Sequence, residues 1–181
     1  MKNIVVIVGS LRRQSINHQY AKALEKLAAG QFHCHFVNTD LPLYNDDLWA
    51  SPPAEVTALK DAIKAADGVL IVSPEYNRSI PAVTKNAVDW ASRPYGQNAW
   101  AGKPVAITGA SNGSQGTAVM QSQLRSTLVI LGTAVMGDPE VYLTFKPDLL
   151  DGDYNVTNEG TAKFLKGFLD KFDAWIDQVK A

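Results

Sequence analysis

Short runs of β-branched and other apolar residues, separated by segments of helical periodicity, constrain the fold of this chain more than any other feature. The first run is Ile4–Val8, and similar runs cover Gly68–Val72 and Pro104–Thr108. Such continuous apolar runs are typical of strands buried on both faces, as in a parallel sheet covered by helices. Two shorter runs, Phe32–Val37 and Ala134–Met136, bring the predicted strands to five.

Between the strands, apolar residues recur at the spacing of amphipathic helices. The predicted helices cover residues 16–28, 55–66, 81–91, 115–131 and 165–179. Ser79 is expected to cap the third helix, with Pro81 in its first turn. Strands that alternate with helices form a doubly wound α/β domain. We therefore predict one domain over residues 1–181, with a five-stranded parallel sheet and helices on both faces.

Composition limits the classes of partner. With 17 basic and 18 acidic side chains among 181 residues, the net charge of -1 gives no bulk attraction to nucleic acid or to an anionic membrane. No apolar run approaches the roughly 20 residues of a membrane span. A single cysteine, Cys34, cannot form an internal disulfide and fits a reducing, cytoplasmic compartment. The three histidines lack metal-ligand spacing, so no metal site is expected.

Three unusual loops follow predicted strands. They read GSLRRQSIN after the first strand, SPEYNRSIP after the third and GASNGSQGT after the fourth. In doubly wound sheets, ligands bind beyond the carboxyl ends of the strands, where the strand order reverses. The three loops are therefore expected to converge on one ligand site.

The first loop is suited to a phosphate monoester. Gly9 permits a tight turn, and the free N–H groups and positive dipole end of the next helix favour an anion. Ser10, Arg12, Ser15 and Asn17 add further donors. A solvated loop in which Ser15 merely caps the helix explains the same residues. Neither the P-loop signature nor the G-x-G-x-x-G dinucleotide fingerprint is present.

The other two loops are suited to a flat heterocycle. Pro74, Tyr76 and Asn77 offer a rigid turn, an aromatic ring and an amide, although Tyr76 could pack on another subunit and Asn77 could be a plain turn residue. The small residues of the loop from Gly109 to Thr117 would let its backbone approach a ring closely, and a flexible strand-to-helix turn is the alternative.

Together these segments resemble the NADPH-dependent FMN reductase family, and within it the bacterial quinone reductases that also reduce chromate. The resemblance covers about residues 3–145 and is carried by GSLRRQSIN, PEYNRSIPAVTKNAVDWASRP and AGKPVAITGASNGSQGT. It implies a flavodoxin-like fold, non-covalent FMN, and NADPH or NADH as the co-substrate. The implied acceptors are quinones and others such as chromate, azo and nitro compounds.

The resemblance also implies which residues bind FMN. By position, the FMN phosphate is held by Ser10, Arg12, Ser15, Ile16 and Asn17. The segment along the isoalloxazine ring is Pro74, Glu75, Tyr76 and Asn77. Ser111 and Gly113 close the far side of the site. Arg78 departs from the pattern of the family, and its role is open.

Further expectations concern chemistry and assembly. Flavin carries the redox chemistry itself, so no catalytic side chain in the strict sense is expected. The resemblance implies a homodimer or homotetramer. The dimer is expected to be built on the segment Pro81–Tyr95, since aromatic and Arg residues are enriched at interfaces, although Trp90 in this segment could equally be a core residue. Arg125 and Glu140 are the expected contacts between pairs of dimers.

Two other classes compete with this interpretation. A flavodoxin-type electron carrier would share the fold and FMN but would not oxidise a nicotinamide, and the net charge of -1 argues against the strongly acidic surface that steers such carriers. A phospho-receiver domain needs a carboxylate cluster for Mg²⁺ around the first and third strands. Here the first strand ends in Gly9-Ser10 and Glu75 stands alone.

Overall fold

The computed structural model describes residues Met1–Ala181 and contains six β-strands and five α-helices. The strands are β1 (Lys2–Val8), β2 (Phe32–Phe36), β3 (Gly68–Val72), β4 (Pro104–Ser111), β5 (Ala134–Val135) and β6 (Tyr142–Thr144). The helices are α1 (Ile16–Leu27), α2 (Ala54–Ala65), α3 (Ala82–Ser92), α4 (Ala118–Val129) and α5 (Glu159–Lys180). A short 3-10 helix, Asp46–Ala50, lies between β2 and α2.

The sheet is parallel, and its strand order is β2-β1-β3-β4-β5. This is the flavodoxin-like doubly wound order, in which the connections reverse direction between β1 and β3. The prediction of a doubly wound parallel sheet is confirmed. The five predicted strands form the main path of the sheet, and the structure adds a short sixth strand because β4 runs on to Ser111 and its last residues pair with β6. A three-residue strand is too short to show a periodic pattern in sequence.

Alternation along β1 divides the core between the two faces of the sheet. Ile4, Val6 and Val8 belong to the apolar cluster formed with α1 and α5. Val5 and Ile7 belong to the cluster formed with α2, α3 and α4. This is the period of two that a strand imposes, so a run of β-branched residues buries side chains on both faces.

The long last helix packs as its apolar stripe predicts. Leu165, Phe168, Leu169, Phe172 and Ile176 of α5 are all buried. Burying a side chain of this kind contributes about 1.5–3 kcal/mol relative to leaving it exposed. No helix in the chain combines the length and the apolar character that crossing a membrane requires.

The start of α3 differs from the prediction. Pro81 occupies the capping position, and no side chain caps the helix there. Ser79 instead donates its hydroxyl to Oε1 of Gln123 on α4, at 2.8 Å. The Ser79 side chain therefore fixes the loop after β3 to a neighbouring helix rather than to its own.

Trp90 on α3 is a core residue, which is the alternative that the sequence left open beside a place at a subunit interface. The side chain is fully buried, and its indole Nε1 donates to the Pro42 carbonyl oxygen at 2.8 Å. The rings of Tyr44 and Trp49 pack against it edge-on, with centroids at 4.8 Å and 5.2 Å. The loop after β2 thus covers the face of α3 on which Trp90 lies.

Candidate functional site

The three unusual loops meet at the carboxyl edge of β1, β3 and β4, where they form two adjoining clefts. The helix cleft, of about 190 Å³, is lined by Ser10, Arg12, Ser15, Ile16, Asn17, Pro74, Glu75, Tyr76, Ala110, Ser111 and Asn112. The glycine cleft, of about 250 Å³, is lined by Glu75, Arg78, Ser111, Gly113, Ser114, Gln115 and Gly116. Glu75 and Ser111 line both clefts. The fold therefore brings every predicted site residue except Asn77 to one continuous surface.

The start of α1 presents unpaired donors to the helix cleft. Ser15 is the capping residue, and its hydroxyl oxygen accepts the His18 N–H at 3.3 Å. The N–H groups of Ile16 and Asn17 have no acceptor within the protein. Free N–H groups and the positive end of the helix dipole together favour an anion. Arg12, which is exposed and has no carboxylate partner, lines the same cleft.

The side chain of Asn17 has a different role from the one its position suggests. Its Nδ2 donates to the Ala110 carbonyl oxygen at 2.9 Å, and its Oδ1 accepts the Ala110 N–H at 2.8 Å. The side chain is buried. The amide therefore joins α1 to β4, and the backbone N–H is the group that Asn17 leaves free for a ligand.

Two glycines allow the three strand ends to crowd together. A Cβ atom on Gly9 would overlap the hydroxyl groups of Thr84 and Ser73, and one on Gly109 would overlap the Ser73 carbonyl oxygen. Both glycines are needed for close approach of the backbones, since neither has a positive φ. The strand ends below the clefts are consequently closely packed.

The loop after β3 forms a tight hairpin turn. The Tyr76 N–H donates to the Ser79 carbonyl oxygen at 3.2 Å, and the Ser79 N–H donates to the Tyr76 carbonyl oxygen at 2.9 Å. The two central residues are left-handed, with φ of 51° at Asn77 and 61° at Arg78. This is the backbone of a type I′ turn, in which Asn is common and Arg is not. Asn77 thus shapes the turn, while Tyr76, half exposed, lines the helix cleft.

Glu75 connects this turn to α4. Its Oε2 accepts the Met120 N–H at 3.0 Å, and its Oε1 lies 3.3 Å from Nη1 of Arg78. The side chain of Glu75 is 7% exposed, and α4 has no side-chain cap of its own. The carboxylate therefore satisfies an N–H in the first turn of α4, and its negative charge interacts favourably with the positive end of the helix dipole.

The loop after β4 is held by short polar contacts. The Gly113 N–H donates to the Ser111 hydroxyl oxygen at 3.1 Å, and the Thr144 hydroxyl donates to the Gly113 carbonyl oxygen at 3.1 Å. The strand β6 therefore buttresses the glycine cleft. Six further lining residues were not predicted as site residues, although all lie within the quoted loops: Arg78, Ala110, Asn112, Ser114, Gln115 and Gly116.

A chain of buried polar groups supports β4 below the clefts. The Tyr20 hydroxyl and Oγ1 of Thr108 are 3.1 Å apart, and Thr108 donates onward to the Val141 carbonyl oxygen at 3.2 Å. Burial raises the pKa of Tyr20 above its usual range. The hydroxyl stays neutral at physiological pH, as a tyrosine hydroxyl ordinarily does, and it links α1 to β4.

A flavodoxin-like sheet whose carboxyl edge carries a free helix start and small-residue loops is suited to a flavin mononucleotide. Residues 2–148 match the family model of NADPH-dependent FMN reductases, and the chain belongs to that family. The predicted family, its oxidoreductase class and its FMN cofactor with a nicotinamide co-substrate are confirmed. The match covers all three loops that form the clefts.

Several relatives are similar over nearly their whole length. The 2-hydroxy-1,4-benzoquinone reductase of a Burkholderia species is 49% identical over 174 residues, covering 96% of this chain and 95% of that protein. The quinone reductase of Escherichia coli K12 is 41% identical, with 98% and 96% covered. The solved structure of FerB, a flavoenzyme NAD(P)H:(acceptor) oxidoreductase from Paracoccus denitrificans, is 50% identical, with a TM-score of 0.96 and 98% of each chain covered.

The residues present fit FMN. The helix cleft supplies two free backbone N–H groups and the unneutralised cation of Arg12 for a terminal phosphate. The glycine cleft supplies small residues and backbone surface against which a flat ring can lie closely. A single phosphate, rather than a pyrophosphate, explains why the loop after β1 lacks a dinucleotide fingerprint.

Proposed function

We propose that this chain passes electrons from NADPH or NADH through bound FMN to quinones. The observation that carries the proposal is the continuous surface of the two clefts, with free N–H donors and Arg12 in one cleft and small residues in the other. The names of the Burkholderia, E. coli and Paracoccus relatives support it. Chromate, azo compounds and nitro compounds are further acceptors that we propose, because an open flavin edge is not selective.

Different residues of the clefts would bind the phosphate and the ring of FMN. The phosphate would be held by Ser10, Arg12, Ser15, Ile16 and Asn17, the last through its backbone N–H. The ring would lie along Pro74, Glu75, Tyr76 and the turn at Asn77, with Ser111 and Gly113 on the far side. FMN supplies hydride acceptance and electron transfer when bound, so the protein contributes binding and orientation and no catalytic nucleophile or metal.

Arg12→Ala is expected to weaken FMN binding by about 1.5–3 kcal/mol, because it removes a charge-assisted contact to the phosphate. FMN fluorescence quenching on titration of the apoprotein measures the dissociation constant. Arg13→Ala is the matched control, since Arg13 is exposed and lies outside the cleft. An unchanged dissociation constant in Arg12→Ala with a weakened one in Arg13→Ala would reverse the assignment of the two arginines.

Steady-state kinetics test the proposed reaction and distinguish it from that of a flavodoxin-type carrier. The purified yellow protein is assayed with both nicotinamides and with neutral quinones, chromate, azo and nitro compounds as acceptors. One site that serves donor and acceptor in turn predicts parallel double-reciprocal plots, as in a ping-pong scheme. Intersecting plots would exclude a shared site, and no nicotinamide oxidation with any acceptor would favour the carrier.

We also propose a homodimer, or a homotetramer formed from two of them, in the cytoplasm. The segment Pro81–Tyr95 stays the proposed contact through its exposed residues, among them Tyr95, which is 94% exposed, and not through Trp90. Arg125 and Glu140, the proposed contacts between dimers, form an ion pair at 3.3 Å within one chain. Light scattering of the FMN-loaded protein measures the mass, and an active monomer would refute the proposal.

A further inference from the structure

The glycine cleft has an unusual lining. None of its lining side chains is hydrophobic, and Arg78 is its one cation, while Arg12 is the one cation of the helix cleft. An apolar quinone gains nothing from such a wall beyond the flavin surface itself. Beside the flavin ring, the exposed guanidinium of Arg78 can contact a ligand that carries several acceptor oxygens.

The position of Arg78 is fixed by its backbone. Arg78 lies in the left-handed region, which costs a residue with a Cβ roughly 1–2 kcal/mol, yet it occupies a turn position where Gly is favoured. Its carbonyl oxygen accepts Nε2 of Gln123 at 3.1 Å, and Ser79 donates to the same Gln123 side chain. The turn that carries Arg78 is thus hydrogen-bonded to α4 through Gln123.

The guanidinium of Arg78 keeps most of its donors free. Its Nη1 contacts Glu75 and Gln115, whereas Nε and Nη2 have no acceptor within the protein. The side chain is 64% exposed. Glu75 is buried and also accepts the Met120 N–H, so its carboxylate is shared between the guanidinium and α4. A two-pronged contact to a phosphate is therefore available on the open side of Arg78.

We propose that Arg78 binds a phosphate of the nicotinamide dinucleotide and so determines the affinity for the electron donor. The inference rests on the proposed function and adds a donor-specific residue to it. The nicotinamide ring must reach the flavin, so the phosphates of the dinucleotide lie outside the FMN site and on its exposed rim. Arg78 is exposed and lines the glycine cleft, whereas Arg12, the proposed phosphate ligand, lines the helix cleft. A neutral quinone has no group for Arg78 to bind.

The test compares two variants. In Arg78→Asn the new residue tolerates the left-handed backbone, and in Arg78→Lys the positive charge stays but the paired N–H donors of the guanidinium are lost. Calorimetric titration of the FMN-loaded protein with NADP⁺ and with NAD⁺ measures binding without turnover. We expect the dissociation constant to rise about tenfold in Arg78→Asn and to rise less in Arg78→Lys. Arg13→Asn, an exposed arginine outside both clefts, should bind like the wild type.

The same titrations show which phosphate of the dinucleotide Arg78 would contact. If Arg78→Asn loses affinity for NADP⁺ alone, the contact is to the 2′-phosphate. If it loses affinity for NAD⁺ equally, the contact is to the pyrophosphate. In turnover assays, the KM for the nicotinamide should rise about tenfold while the KM for neutral 1,4-benzoquinone and the FMN content stay unchanged.

Other outcomes overturn the proposal. Unchanged titrations in Arg78→Asn would show that Arg78 does not bind the dinucleotide. A loss seen only with an anionic acceptor such as deprotonated 2-hydroxy-1,4-benzoquinone would assign Arg78 to the acceptor. A shifted flavin potential with both KM values changed would assign it to the flavin. Failure of the wild type to oxidise either nicotinamide would refute the proposed function itself, which is a separate result.

Discussion

Gly109→Ala is expected to lower the free energy of unfolding by about 3 kcal/mol and to reduce the FMN content of the purified protein. The new Cβ would overlap the Ser73 carbonyl oxygen and come within 2.6 Å of Oγ1 of Thr117. The first obstacle is backbone of the strand-to-loop junction after β3, so no side-chain rotation relieves it. Moving that junction would displace the loop that carries Pro74 and Glu75.

Urea unfolding of the apoprotein measures the stability change, and fluorescence titration measures FMN affinity. Gly167→Ala is the matched control, because the glycine is inside α5 and the alanine methyl would meet no atom within 4 Å beyond its chain neighbours and the backbone of its own helix. There alanine should stabilise the protein by about 0.5–1 kcal/mol through helix propensity. Equal and small effects at both glycines would contradict the close packing of β3 against β4.

Asn17→Ala is expected to lower the free energy of unfolding by about 3 kcal/mol, because it leaves two buried backbone groups without partners and each costs about 1–3 kcal/mol. The Asn17 amide satisfies both the N–H and the carbonyl oxygen of Ala110 in a buried position. FMN affinity should fall as well, because the start of α1 loses its tie to β4.

Asn17→Asp separates this structural role from a direct ligand role. The carboxylate still accepts the Ala110 N–H but repels the Ala110 carbonyl oxygen and any phosphate at the start of α1. It should therefore weaken FMN binding more than alanine does. Gln14→Ala, at an exposed amide of the same loop, is the stability control. A wild-type unfolding curve for Asn17→Ala would show that the bridge to β4 contributes nothing.

Elements with a strong internal pattern are predictable from sequence. The run Ile4–Val8 marks the buried part of β1, Gly68–Val72 is β3 as predicted, and the apolar stripe of α5 is buried as predicted. Because ligand loops of a doubly wound sheet follow the carboxyl ends of its strands, the strand assignment alone places the three polar loops together. Local pattern and topology are sufficient for the fold and for the position of the candidate site.

Features that depend on tertiary contacts are not predictable in this way. The strand β6 exists because its three residues pair with the end of β4. Asn17 looks like a phosphate donor in sequence, and only the fold shows Ala110 opposite its amide. The left-handed turn at Asn77 and Arg78 is also hidden, because Arg is a poor residue for that backbone and its stabilising partner, Gln123, is distant in sequence.

Anaerobic mixing of the FMN-loaded protein, first with NADPH or NADH and then with a neutral quinone, tests most directly whether bound FMN connects donor and acceptor. The proposed function predicts that one equivalent of nicotinamide bleaches the flavin absorbance. One equivalent of 1,4-benzoquinone should then restore it, with hydroquinone as the product. A flavin that neither nicotinamide bleaches, or that the quinone does not reoxidise, would contradict the proposed function.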